Sequence, residues 1–192
     1  MKKLILTMIA LLSIMTINAQ VKDDFESNKL GWNEYDGSKS SSTIINGSMV
    51  LTSKGGTPAV VSCWAPYDIS RNFDLKCDVL AKKIDDEKNF GIVIDYKDDY
   101  NYIMFGVTEG KAIMQKFVEN KLVAFRMSDI KLKEQRKANV KLEIKHDTGS
   151  FKFYVNDMLA LEARYLHVES NGIALYAGGK QKISFDNLEI IQ

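Results

Sequence analysis

The sequence predicts an all-β protein of antiparallel strands, packed as two sheets or closed into a barrel. Three observations carry that prediction. Apolar residues alternate with a period of two over almost the whole chain. Short apolar runs are separated about every ten residues by Gly, Asn, Asp and Ser. Long segments with an apolar stripe of helical spacing are missing, and the one stretch rich in Lys, Glu and Gln, 128–137, has no such stripe and reads as a loop with a single turn.

The expected strands are 43–46, 48–53, 59–64, 73–82, 90–96, 102–107, 112–118, 122–127, 140–146, 151–155, 158–163, 172–177 and 182–190. Asn46-Gly47, Glu109-Gly110, Glu119-Asn120, Thr148-Gly149 and Asn156-Asp157 supply residues that tolerate positive φ between them. Strands joined by tight hairpins are antiparallel, and this many in one domain need two packed sheets or a closed barrel.

The first residues are organised differently. Lys2 and Lys3 precede an uncharged apolar run from Leu4 to Ile17, and Ala19 ends the segment. That layout predicts a signal peptide over 1–19, cleaved between Ala19 and Gln20, and an exported protein that is periplasmic or secreted. The apolar run falls short of the ~20 residues needed to span a bilayer, so no membrane insertion is expected after cleavage. Gln20 stands where a lipid-anchored variant would need Cys.

Residues 20–192 then form a single domain, and about 170 residues suffice for a sizeable core. Lys2 and Lys3 leave with the signal, so 26 basic side chains fall to 24 against 25 acidic ones. A balance near zero gives no electrostatic footprint for nucleic acid.

Cys63 and Cys77 are the two cysteines. An oxidising envelope compartment permits a disulfide between them. Cys77 equally belongs to the alternating set Phe73, Leu75, Cys77, Val79, where a buried thiol packs well.

Longer motifs carry a resemblance. The stretch NFGIVIDYKDDYNYIMFGVTEGKAIMQKF resembles the central hairpins of bacterial concanavalin A-like, laminin-G-like jelly-roll domains. VKLEIKHDTGSFKFYVNDMLALEA is similar to their Phe-x-Val-Asn hairpin, and NGIALYAGGKQKISFDNLEII to their closing strands. DDFESNKLGWNEY matches their opening Asp-x-Phe…Gly-Trp segment. The resemblance spans nearly all of 20–192. It implies a two-sheet antiparallel jelly-roll sandwich, curved and concanavalin A-like, with one concave sheet open to a ligand. That superfamily includes lectins, laminarinase-type glycosidases and 3-keto-disaccharide hydrolases, so the fold alone does not choose a function.

The residues weigh against catalysis. Glycosidases need two placed carboxylates, and the Glu-x-Asp-x-(x)-Glu strand of laminarinase-type enzymes is absent. Asp85-Asp86-Glu87 reads as a solvated turn. Asp95, Asp98 and Asp99 read as a hairpin loop with Asx turns, the alternative being a calcium or sugar-hydroxyl site. Asp24 and Asp186, on terminal strands expected to run side by side, are the candidates for a structural calcium, with backbone tethering as the alternative reading of Asp186. No other cofactor is expected.

Strand parity sets Gly91, Val93, Asp95, Tyr102, Met104 and Gly106 on one face and Ile92, Ile94, Ile103, Phe105 and Val107 on the other. The second set makes the core and the first a shallow groove, to which the next strand is expected to add Met114 and Lys116. Tyr102 is the expected stacking platform, with Asp95 and Lys116 as hydroxyl partners. The functional expectation is a non-catalytic, carbohydrate-binding module, with a sugar-acting hydrolase or a component that binds an envelope protein partner as alternatives.

Overall fold

In a computed structural model, the structure describes residues 20–192 except 83, 85–86, 133–137 and 165. The expected signal peptide, the Asp85-Asp86 pair and the end of the 128–137 stretch lie outside the described residues.

Among the described residues, fifteen strands make two antiparallel sheets. The first contains β1 (Gln20–Asp23), β2 (Tyr35–Asp36), β3 (Ser40–Ile44), β4 (Met49–Lys54), β6 (Phe73–Ala81), β11 (Ala138–Asp147), β12 (Ser150–Val155), β13 (Met158–Arg164) and β15 (Lys180–Ile191). The second contains β5 (Ala59–Trp64), β7 (Asn89–Asp98), β8 (Asn101–Thr108), β9 (Lys111–Val118), β10 (Lys121–Asp129) and β14 (Gly172–Gly178). The order is β13-β12-β11-β6-β15-β4-β3-β2 in the first sheet, with β1 also pairing β15, and β10-β9-β8-β7-β14-β5 in the second. The chain therefore closes in jelly-roll fashion: β14 enters between β5 and β7, and β15 between β4 and β6.

Hairpin chemistry fixes the local pairing. Asn46-Gly47, Glu119-Asn120, Thr148-Gly149 and Asn156-Asp157 all adopt positive φ at both positions, as does Gly110. Such turns match the right-handed twist of the strands they join. Alternation does the rest. In β6, Phe73, Leu75, Cys77, Val79 and Ala81 are buried while the residues between them are not. The facing set from the second sheet includes Phe90, Ile92, Ile94, Ile103, Phe105 and Val107. Phe105 lies 5.7 Å from Phe153 and 6.4 Å from Phe151, ring centre to ring centre, so aromatic rings cross the interface between the sheets.

The first strand, expected beside the last but without a residue range, ends in a buried carboxylate. Asp23 accepts the Phe25 N–H at 2.9 Å and the Trp32 indole N–H at 2.8 Å. It ties the end of β1 to the 25–32 segment, while β1 itself pairs with β15, Asp23 standing opposite Leu188.

Both cysteines are free, which corrects the disulfide considered for Cys63 and Cys77. They are close in sequence, but residues 65–72 cross from one sheet to the other, leaving Cys63 on β5 and Cys77 on β6. Each is a buried core thiol. Burial, helped by Asp23, pushes the Cys63 pKa up to about 12. Burial raises Cys77 as well, and its Sγ donates to the Asp186 carbonyl at 3.3 Å.

Asp24 and Asp186 are engaged by near neighbours. Asp24 accepts from the Glu26 N–H and the Lys29 ammonium, both at 3.2 Å, and Asp186 accepts the Asn187 N–H at 2.7 Å. Among the described residues no group of three or more His, Cys, Asp or Glu side chains is placed to share a metal ion. No helix among them is long and apolar enough to cross a membrane.

Candidate functional site

The outer face of the second sheet is the unusual surface of this molecule. Register places Gly91 opposite Gly106, and Gly106 opposite Ile113. Val93 stands opposite Met104, which faces Gln115, while Tyr102 stands opposite Phe117. On the other side Ala174 lies between Val93 and Ser62, and Tyr176 between Gly91 and Val60. Val93, Met104, Ile113 and Ala174 form a buried cluster separate from the main core, with Val60, Tyr96, Tyr102 and Tyr176 packed against it. The sheet thus has an apolar layer on both faces.

Glycine sets the shape of this floor. A Cβ at Gly91 would lie 2.2 Å from the Phe105 carbonyl oxygen and 2.6 Å from the Gly106 Cα. Only residues without a side chain let the two backbones approach so closely.

A groove of about 670 Å³ opens over the β5 side of this face. Val60, Ser62, Val93, Tyr102 and Tyr176 make its floor, and Tyr96 and Asp99 one wall. The opposite wall is the segment Asn33–Tyr35 with Ser40, Thr57 and Pro58. That segment is tied to the sheet edge: the Asn33 N–H donates to the Ser62 carbonyl at 3.0 Å, and the Tyr35 hydroxyl accepts the Val60 N–H at 3.3 Å. Glu34 is anchored by accepting the Ile44 N–H at 2.8 Å and the Asn28 amide at 3.1 Å. On the first wall the Tyr96 hydroxyl donates to Asp99 at 2.7 Å.

Tyr96, Tyr102 and Tyr176 are shifted away from ionisation. Burial first, then Tyr176 and Asp99, push the Tyr102 pKa up to about 12. Burial and the Asp99 hydrogen bond raise Tyr96, and burial raises Tyr176. At neutral pH the groove therefore presents hydroxyl donors and acceptors beside aromatic faces, with carboxylates on both walls.

The structure separates the residues expected to form the site. Tyr102 and Met104 are on the outer face, Tyr102 lining the groove and Met104 buried in the cluster beneath it. Met114 is not on that face; it stands opposite Phe105 and is buried in the main core. Lys116, opposite Ile103, also falls on the inner parity, and its ammonium reaches the His167 carbonyl. The cause is the Glu109-Gly110 turn, which pairs Thr108 with Lys111 and so sets even residues of β8 opposite odd residues of β9. The face receives Ile113, Gln115 and Phe117 instead.

Asp95 is no free hydroxyl partner. It sits at the irregularity between the β7 and β8 pairings with φ 52°, and its buried carboxylate accepts the N–H groups of Glu169 and Ser170, both at 2.8 Å. It ties a crossing loop to the sheet. Asp98 makes the expected Asx turn, accepting the Tyr100 N–H at 2.8 Å.

Asn33, Glu34, Ser62 and Tyr176 were not anticipated at the site. The alternation Gly172, Ala174, Tyr176 carried a signal for Tyr176. Placing it needed the position of β14 between β7 and β5, a non-local pairing.

No protein-family model matches the chain, and no curated protein matches it by sequence. Solved structures do resemble it in fold. The carbohydrate-binding module CBM66 from Bacillus subtilis superposes with a TM-score of 0.64 at 17% identity, covering 88% of this chain and 99% of that one. The β-glucanase of Bacillus licheniformis gives 0.65 at 9% identity, over 92% and 99% of the two chains. The carbohydrate recognition domain of Emp47p gives 0.61 at 14% identity, over 90% and 94%. At these identities the likeness shows the fold, a concanavalin A-like jelly-roll sandwich.

Proposed function

We propose that this chain is an exported, non-catalytic module that binds a glycan in the groove on the outer face of its second sheet. One observation carries the reading: Tyr96, Tyr102 and Tyr176 converge with Ser62, Asn33 and the carboxylates of Glu34 and Asp99 on one concave, partly apolar surface. Sugars present apolar C–H faces ringed by hydroxyls. Aromatic floors with a few convergent polar groups match both features. The names of the solved structures with the same fold support this direction, since two of the three are sugar-binding domains.

A sugar-acting hydrolase is the second reading, favoured by Glu34 and Asp99 occupying opposite walls of one groove. Acid–base catalysis needs a carboxylate free to exchange a proton with the substrate. Here Glu34 holds the Ile44 N–H and Asp99 holds the Tyr96 hydroxyl. That arrangement supports binding over turnover.

A glycan-array screen of the purified protein, with every hit assayed for hydrolysis, tests the reading. Retained glycans without product are expected, with binding lost in Tyr102→Ala and folding kept. Turnover would favour the hydrolase; an array without hits would overturn the glycan reading.

A further inference from the structure

Alternation along β5 sends Ala59, Val61 and Cys63 into the core and Val60, Ser62 and Trp64 outward. Val60 and Ser62 line the groove, but Trp64 does not. It lies two residues beyond Ser62, about 7 Å further along the strand. At 69% exposure it is the most exposed large apolar side chain among the described residues.

Its surroundings keep it bare. The residue paired with Trp64 on β14 is Gly172, which has no side chain to cover the indole. A Cβ there would lie 2.1 Å from the Tyr96 carbonyl oxygen, so the close approach of the backbone requires this glycine. The other tryptophan, Trp32, is buried with its N–H on Asp23. One indole is thus a core residue and the other stands uncovered, on the groove's own face and just past its end.

We infer that Trp64 is a second stacking platform, and that the groove takes an oligosaccharide running along β5 past Ser62, rather than a single sugar. This rests on the glycan reading above. The groove over Val60, Ser62 and Tyr102 holds the first unit, and a following unit reaches the indole.

The test uses the intact protein and unbranched glucan, xylan, mannan and fructan fragments graded from monosaccharide to hexasaccharide. In the wild type, affinity should rise with chain length. Trp64→Ala should lose about tenfold on the longest fragments and nothing on the monosaccharide, while Trp64→Phe keeps most of the gain. Acrylamide quenching supplies an independent readout, because the chain has two tryptophans and Trp32 is buried. Long fragments should protect the quenchable indole, and monosaccharides should not. If Trp64→Ala keeps the full chain-length dependence while Tyr102→Ala abolishes binding, the glycan reading stands and the second platform is wrong. If the wild type binds none of the fragments, both fall.

Discussion

The two sheets of this sandwich share a core but treat solvent in opposite ways. On the outer face of the first sheet, charge alternates from strand to strand. Lys76 stands between Glu143 and Glu189, and Lys145 stands opposite Asp74. Glu143 lies 3.3 Å from both Lys76 and Lys145, and Lys145 lies 3.3 Å from Asp74. The outer face of the second sheet carries Val93, Met104, Ile113 and Ala174 under three tyrosines. Cross-strand ion pairs are a solvated way to finish a sheet. A second apolar layer, buried beneath tyrosines, has no such use. The contrast supports the outer face of the second sheet as the ligand-binding side proposed above.

Breaking the second face at its floor should have the largest effect. Gly91→Ala drives a methyl into the Phe105 carbonyl and should cost about 3 kcal/mol in urea unfolding. Lys76→Ala on the first face should cost less than about 1 kcal/mol. Equal losses would remove the distinction between the faces.

Replacing groove tyrosines comes next. Tyr176→Ala should weaken glycan binding by about tenfold or more with most of the stability kept, as read by titration calorimetry beside a thermal melt.

High pH offers a third probe. A tyrosine whose folded pKa is raised favours the protonated native state, so stability falls once the unfolded chain ionises near its ordinary value of 10 and continues to fall toward the folded value. For Tyr102 that window runs from pH 10 to about 12. Tyr102→Phe should flatten the loss of melting temperature across it. An unchanged slope would mean that Tyr102 is as solvated as a free phenol.

The smallest effect concerns charge. Among the described residues the groove is lined by Glu34 and Asp99 and by no Lys, Arg or His. Uronate-bearing glycans should therefore bind about fivefold more weakly than neutral ones of equal length, with the gap closing as salt is added.

Much of the fold was legible because it is local. Alternation in β6, β7 and β8 separates core from surface without reference to any partner, and four of the hairpin turns place both turn residues at positive φ where Asn, Asp and Gly predicted it. The thirteen strands expected from alternation all exist, 59–64 with its expected ends and the others with shifted ones. Alternation did not mark β1, expected only as a terminal strand beside the last, or β2, which has only two residues.

The site was only half legible. Tyr102 could be assigned to the outer face from its own hairpin. Met114 and Lys116 were assigned to the wrong side because the two-residue turn at Glu109-Gly110 reverses parity between β8 and β9. That rule is local and was available from the sequence. The opposite wall of the groove was not: Asn33–Tyr35 reaches it by docking on β5, and Tyr176 by insertion of β14, both pairings between distant parts of the chain. Asp95 misled for another reason. A carboxylate in a hairpin looks free until the 169–170 segment crosses over it and supplies two N–H groups.

The most direct test of the account is a matched calorimetric titration of one array-positive oligosaccharide into wild type, Tyr102→Ala and Lys76→Ala. Saturable binding to the wild type, its loss in folded Tyr102→Ala, and unchanged affinity in Lys76→Ala are expected. Binding that survives Tyr102→Ala but fails in Lys76→Ala would place the ligand on the first sheet and contradict the account.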